Sequence, residues 1–285
     1  MISGTSARIT ADIARQSALS RDIAKLQDQV STGKKLATPS EDPAGNARLG
    51  AVRRTQANDD AYRTNVDAAS AVAARADGAM ASLSTALDRA RELTMAASSG
   101  TYSADNRKIA AAELRGIAED VARLSTQKDA GGQPLFPDGD PLLIPIADGT
   151  QVAATVSKTV LFGRDGASLS DIIGAAAAAL ELPDDADGTA ATRATATATS
   201  LEAIDAASSR VAALHGEQGV RAARIDARAE ALADSAITLA DERTAIEGAD
   251  VSAAISLITS KLNTLEAAQA VFAKLNRQTL FDLLG

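Results

Sequence analysis

The chain has 285 residues, a formal net charge of −8 and a pI near 4.8, a balance that argues against nucleic acid as a partner, because phosphate binding relies on basic stripes. Apolar residues make up 46% of the sequence but aromatic ones only 2%, with no Trp, four Phe and two Tyr, which argues against a thick globular core. Cysteine is absent, so disulfides, thiolate metal sites and cysteine nucleophiles are excluded.

An alanine-rich chain with few bulky side chains lets helices approach closely along their length. Each buried Ala contributes little, at roughly 25 cal/mol per Å², so stability must come from many weak contacts over long interfaces. The expected fold is mostly α: an elongated bundle of long antiparallel helices, with terminal coiled-coil helices and a small β-rich central insertion. The opening MISGTSARITADIARQ has no continuous apolar run, so a cleaved secretory signal is not expected. Nowhere does a run of about 18 apolar residues predict membrane insertion.

The first helix is predicted from about Ser3 to Thr32. Its apolar stripe reads Ile9, Ile13, Gln16, Leu19, Ile23, Leu26 and Val30. Gly33 supplies the stop, since glycine takes the left-handed conformation cheaply. Pro39 and Pro43 keep the following segment extended or turned. Asp42 before Pro43 has the form of an N-cap with proline at the first helical position. A long helix then runs from about Ala44 to Ser98, roughly 80 Å at 1.5 Å per residue. Its seam is Tyr62, Val66, Ala69, Ala73, Ala76, Met80, Leu83, Leu87, Ala90 and Thr94, in the alternating four- and three-residue steps of helices that supercoil. A third helix restarts at Ser103 and carries Ala110, Leu114, Ile117, Val121 and Leu124 on one face.

From Lys128 the character changes. Pro134, Pro137, Pro141 and Pro145 forbid helix, and strands are expected at Leu142–Ile146, Gln151–Val156 and Thr159–Phe162. Asp148-Gly149 and the Gly163–Gly166 segment supply turns. A short helix from Ser168 to Leu182 closes this excursion. The second long helix is predicted from near Thr189 to around Glu247, with Leu201, Ile204, Ser208, Val211, His215, Gln218, Ala222, Ile225, Ala229, Leu232, Ala236 and Leu239 on its seam, although the Thr-Ala alternation of Ala194–Thr199 is also compatible with an extended strand at its start. Gly248 separates it from a last helix, Ala249 to about Asn276, whose stripe is Val251, Ile255, Ile258, Leu262, Leu265, Gln269 and Phe272. The chain thus divides into an N-terminal assembly helix and linker (1–43), two halves of a long-helix rod (44–128 and 189–247), a β-rich insertion (129–188) and a C-terminal assembly helix (248–285). The terminal stripes need cover, from each other or from a neighbouring copy, and the polar members Gln16, His215, Gln218 and Gln269 would either fix axial register or line water.

Two stretches are similar to a known family. Ile23 to Lys35 (IAKLQDQVSTGKK), followed by Pro39-Ser40-Glu41-Asp42-Pro43, resembles the LQ-x-Q-(I/V)-STGK(R/K)…PS-(D/E)-DP segment of flagellar axial proteins of the flagellin superfamily. The ending Thr279-Leu280-Phe281-Asp282-Leu283-Leu284 is close to that family's SLFDYL-like terminus. The resemblance covers about the first 125 and last 95 residues. Ser31-Thr32-Gly33 and Ser40-Glu41-Asp42-Pro43 fit the flagellin-like hook-associated members, whereas Leu283-Leu284-Gly285 drifts toward the ending of filament flagellins. What the resemblance implies is a structural, non-enzymatic subunit at the junction of hook and filament. Such a protein is exported unfolded by the flagellar type III apparatus without signal cleavage and resides outside the cell. Implied partners are further copies, another hook-associated protein on the hook side, flagellin on the filament side, and an export chaperone on the C-terminal helix. A short filament flagellin is the alternative, and a coiled-coil adaptor is a more distant one.

Catalytic and cofactor chemistry finds little support. His215 is the sole histidine and sits on a helical seam, so a Ser-His-Asp triad has a single candidate base. No HExxH, CxxC or GxxxxGK[ST] pattern occurs. Asp184-Asp185-Ala186-Asp187-Gly188 has the opening of a calcium loop but lacks a glutamate at the twelfth position, so it is read as a solvated turn. No cofactor and no metal are expected.

Overall fold

The computed structural model describes residues 2–35, 42–99, 101–183 and 189–282. Seven helices and two strands follow in order among them: α1 (Ile2–Thr32), α2 (Pro43–Ala97), α3 (Ala104–Ser125), β1 (Leu143–Ala147), β2 (Thr150–Ala153), α4 (Lys158–Phe162), α5 (Leu169–Leu180), α6 (Thr189–Glu247) and α7 (Val251–Asp282). The predicted course of Pro39 to Glu41 and the acidic turn at Asp184 to Gly188 lie outside the described residues. The chain forms two compact units, one of Met1–Ala57 with Ser235–Gly285, the other of Asn58–Asp234.

In the first unit, α1 packs on α7, and Lys261 near the middle of α7 bonds to Asp22 of α1. Gly33, at φ +67°, ends α1 as its sequence context requires. Lys34 and Gly248 then form a short antiparallel bridge, so the exit from α1 and the entry to α7 are paired. With α1 meeting α7 at 22 against 261 and at 34 against 248, the two helices run antiparallel. The N-cap expected for α2 is present. Asp42 Oδ1 accepts the Gly45 amide at 2.8 Å, ahead of Pro43 at the first helical position.

In the second unit, α2 and α6 are linked by Arg91 to Asp205, Asp77 to His215, and Tyr62 beneath the Arg228 guanidinium. One residue number rises as the other falls, so these helices are antiparallel too. The α2 seam read from the sequence is the buried one: Val66 through Thr94 in four-three steps are all buried, and Tyr62 half-buried. Along α6, Ile204, Val211, Gln218, Ile225 and Leu232 are buried, whereas Ala229 is exposed. Small residues let α3 and α5 pack closely, through Ala110, Ala111 and Leu114 against Ile173, Ala176 and Ala177 in one cluster. Two of the four phenylalanines, Phe136 and Phe162, meet edge to face at 5.4 Å in that core.

β1 and β2 form an antiparallel hairpin with Leu143 opposite Ala153 and Ile144 opposite Val152, and an irregularity between Pro145 and Ala147. Gly149 turns it at φ +65°. Three side chains fasten it to the helices: Asn65 donates to the Pro145 carbonyl and Arg228 to that of Ile146, both in β1, and Gln218 to that of Ala154, just past β2, each at 2.8 Å. The expected third strand is a correction. Thr159–Phe162 belongs to the single helical turn α4, with Ser157 at its N-cap. Leu161 and Phe162 are both buried, and adjacent residues cannot both face one core from a strand, whose side chains alternate.

Candidate assembly interface

The two terminal stripes fall on α1 and α7, and the packing of these helices fixes which members face inward. On α1 the covered side chains follow three-four steps through Ile9, Asp12, Gln16, Leu19, Ile23, Leu26 and Val30. Ile23 is buried and the others half-buried. Ile13, included in the sequence stripe, is 51% exposed because the heptad step from Gln16 reaches Asp12 instead. On α7 the inward column is Ala254, Ile258, Lys261, Leu265, Ala268 and Phe272. Ile258, Leu265 and Phe272 were on the predicted seam. Ala254, Lys261 and Ala268 were not, since one charged and two small residues give a weak hydropathic signal.

The remaining seam members of α7 point elsewhere. Val251, Ile255 and Leu262 are 38%, 50% and 39% exposed, and Gln269 is exposed. Leu257 and Val271, which the sequence stripe omits, are exposed as well. Helix α7 therefore carries two overlapping apolar faces. One is covered by α1 within the chain, and the other meets solvent.

Electrostatics favour the intramolecular pairing. Lys261 Nζ donates to Asp22 Oδ2 at 2.7 Å, and that hydrogen bond and charge hold the Asp22 carboxyl below the usual aspartate range. The polar seam residues divide by role. Gln218 is buried and donates to the Ala73 and Ala154 carbonyls, and His215 lies 2.9 Å from Asp77, so both serve packing within the second unit. Gln16 is half-buried against α7, and Gln269 faces solvent. Among the described residues no cluster of three or more His, Cys, Asp or Glu is arranged to hold a metal ion, and no helix is long and apolar enough to cross a membrane.

A model of the bacterial flagellin N-terminal helical region matches residues 6–139, and one of the bacterial flagellin C-terminal helical region matches residues 201–284. Flagellar hook-associated protein 3 of Salmonella typhimurium is 30% identical over 112 residues, 39% of this chain. Its Escherichia coli counterpart is 28% identical over the same length. The chain spans 35% of the length of these curated relatives. Among solved structures, hook-associated protein 3 from Legionella pneumophila superposes with a TM-score of 0.61 at 13% identity, covering 68% of this chain and 99% of that one. A protein described as flagellar hook-associated from Vibrio parahaemolyticus gives 0.63 at 18% identity, covering 72% and 99%. At such identities the likeness is one of fold. Bacillus cereus FlgL shares it, with a TM-score of 0.57 at 14% identity, over 68% of this chain and 99% of that one.

Proposed function

The chain belongs to the flagellin family, and from that premise we propose that it is a structural subunit of the bacterial flagellum, joining hook to filament and polymerising through its terminal helices. The observation that carries the reading is the second face of α7. Val251, Ile255 and Leu262 stay uncovered after α1 has taken the first face. Fully burying a large aliphatic side chain stabilises by about 1.5–3 kcal/mol. Covering three half-exposed ones on every copy is a substantial drive to stack. Further copies supply the cover within the array. Another hook-associated protein adjoins its hook end and flagellin its filament end, and an export chaperone shields the same α7 face beforehand. A chain without cysteine suits passage in an unfolded state to the cell exterior. The role is one of form and contains no catalytic step.

Two measurements test this. Ile255→Gln with Leu262→Gln should leave the melting of the single chain nearly unchanged, because both sites are solvent-facing, while abolishing polymer growth by sedimentation. Polymers forming at the normal rate would remove the interface. Electron microscopy of cells lacking the chain should show hooks without filaments and flagellin lost to the medium. Intact filaments would end the junction role and leave a minor filament subunit as the reading.

A further inference from the structure

Where the two chain crossings of the first unit meet, one carboxylate faces three cations. Glu247, the last residue of α6, keeps a side chain only 11% exposed. Its Oε2 lies 3.5 Å from Lys34 Nζ, and its Oε1 lies 3.6 Å from Arg53 Nη2 and 3.4 Å from Arg243 Nε. The same residue's carbonyl accepts the Lys35 amide at 2.6 Å, and the Ala249 amide donates to the Gly33 carbonyl at 3.0 Å. Gln29 Nε2 adds a bond to the Lys35 carbonyl at 2.9 Å. Gly248 allows the tight turn, since a Cβ there would fall 2.5 Å from the Thr244 carbonyl oxygen. A cavity of about 290 Å³, lined by Thr32, Arg53, Arg243 and Thr244 among others, opens beside the cluster.

We propose that Glu247 is the pin of an electrostatic clasp that holds the exit of α1 and the entry of α7 together as one element. The inference concerns the single chain and stands or falls independently of the assembly reading. Side-chain packing is incomplete on the side where this cavity opens. A nearly buried carboxylate requires counter-charges, and three cations drawn from the first linker, α2 and α6 supply them. Conversely, without the carboxylate the three cations repel one another across the linkers. The two backbone bonds of the bridge are too few to resist that alone. Glu247 is thus a positioning residue: it acts on α1 and α7 through Lys34 and the paired backbones.

Amide hydrogen exchange on the full chain reads the clasp directly, at the Lys35 and Ala249 amides that donate across it. Glu247→Gln should speed exchange at both by about tenfold or more, with the Leu87 amide of α2 unaffected. Adding Lys34→Met to Glu247→Gln should slow both amides again, since one of the three repelling charges is gone. A merely structural role for Glu247 would make the double variant exchange as fast as the single one. Raising NaCl from about 0.05 to 1 M on the unmodified chain should also speed both amides severalfold, because the half-exposed cations are screened; this arm decides if Glu247→Gln fails to fold. Exchange at Lys35 and Ala249 that ignores either the substitution or the salt would overturn the proposal.

Discussion

Asp171 orders the start of α5 almost alone. Its amide donates to Ser168 Oγ, and its Oδ2 accepts the amides of Ser168 at 3.0 Å and Gly166 at 2.9 Å together with the Ser168 hydroxyl at 2.6 Å, a reciprocal capping box. The Ser168 side chain first, then the two amides, lower the Asp171 pKa. A carboxyl whose folded pKa is depressed stabilises above its unfolded value, near 3.9 for aspartate, and that contribution disappears as pH falls through the lowered one. Replacing Ser168 by Ala should therefore raise the Asp171 titration midpoint, followed by carboxyl NMR, and cost about 1 kcal/mol in denaturant unfolding at neutral pH. The same logic at α1 and α7 predicts that Lys261→Met moves the Asp22 midpoint back up toward the ordinary range. Ser168 as the start of a helix was legible in the sequence, because capping is local. Gln218 was legible only as a polar residue on a seam. Its carbonyl partners, Ala73 and Ala154, lie on two other segments of the chain, and no local pattern points to them.

Among the elements, α2 was the most readable. Its four-three stripe is long enough that one face dominates, and that face is buried from Val66 to Thr94. Leu87, fully buried within the main core cluster, should cost about 2–5 kcal/mol when replaced by Ala. Leu262→Ala on the exposed face of α7 should stay within about 0.5 kcal/mol in the same denaturant titration of the single chain. Equal losses at the two positions would mean that the α7 face is already covered. Helix α7 was harder to read, because Ile258, Leu265 and Phe272 belong to both of its faces. A single best stripe drawn through the large residues picks up Val251, Ile255 and Leu262 and passes over Ala254, Lys261 and Ala268. Thr159–Phe162 misled for a related reason: four residues hold barely one helical period, too short a stretch for either repeat to declare itself, and only the burial of both Leu161 and Phe162 separates the cases.

At the scale of the molecule, both large apolar clusters lie within the unit spanning Asn58–Asp234. A fragment of those residues should unfold cooperatively by calorimetry with its helical circular dichroism intact. A broad, non-cooperative transition would mean that the second unit depends on the first. The sequence by itself determined where α1 and α2 start and stop to within a residue, that the hairpin turns at Gly149, and that the chain resembles flagellar axial proteins. Caps, glycine stops and apolar periods act over a few residues, so they can be read without a partner. The tertiary structure alone decided which of two overlapping faces of α7 turns inward, where the hairpin is fastened, and that Glu247 gathers Lys34, Arg53 and Arg243. A period fixes the spacing of a face but not what covers it, and contacts such as Lys34 with Glu247 join residues that only the folded chain brings together.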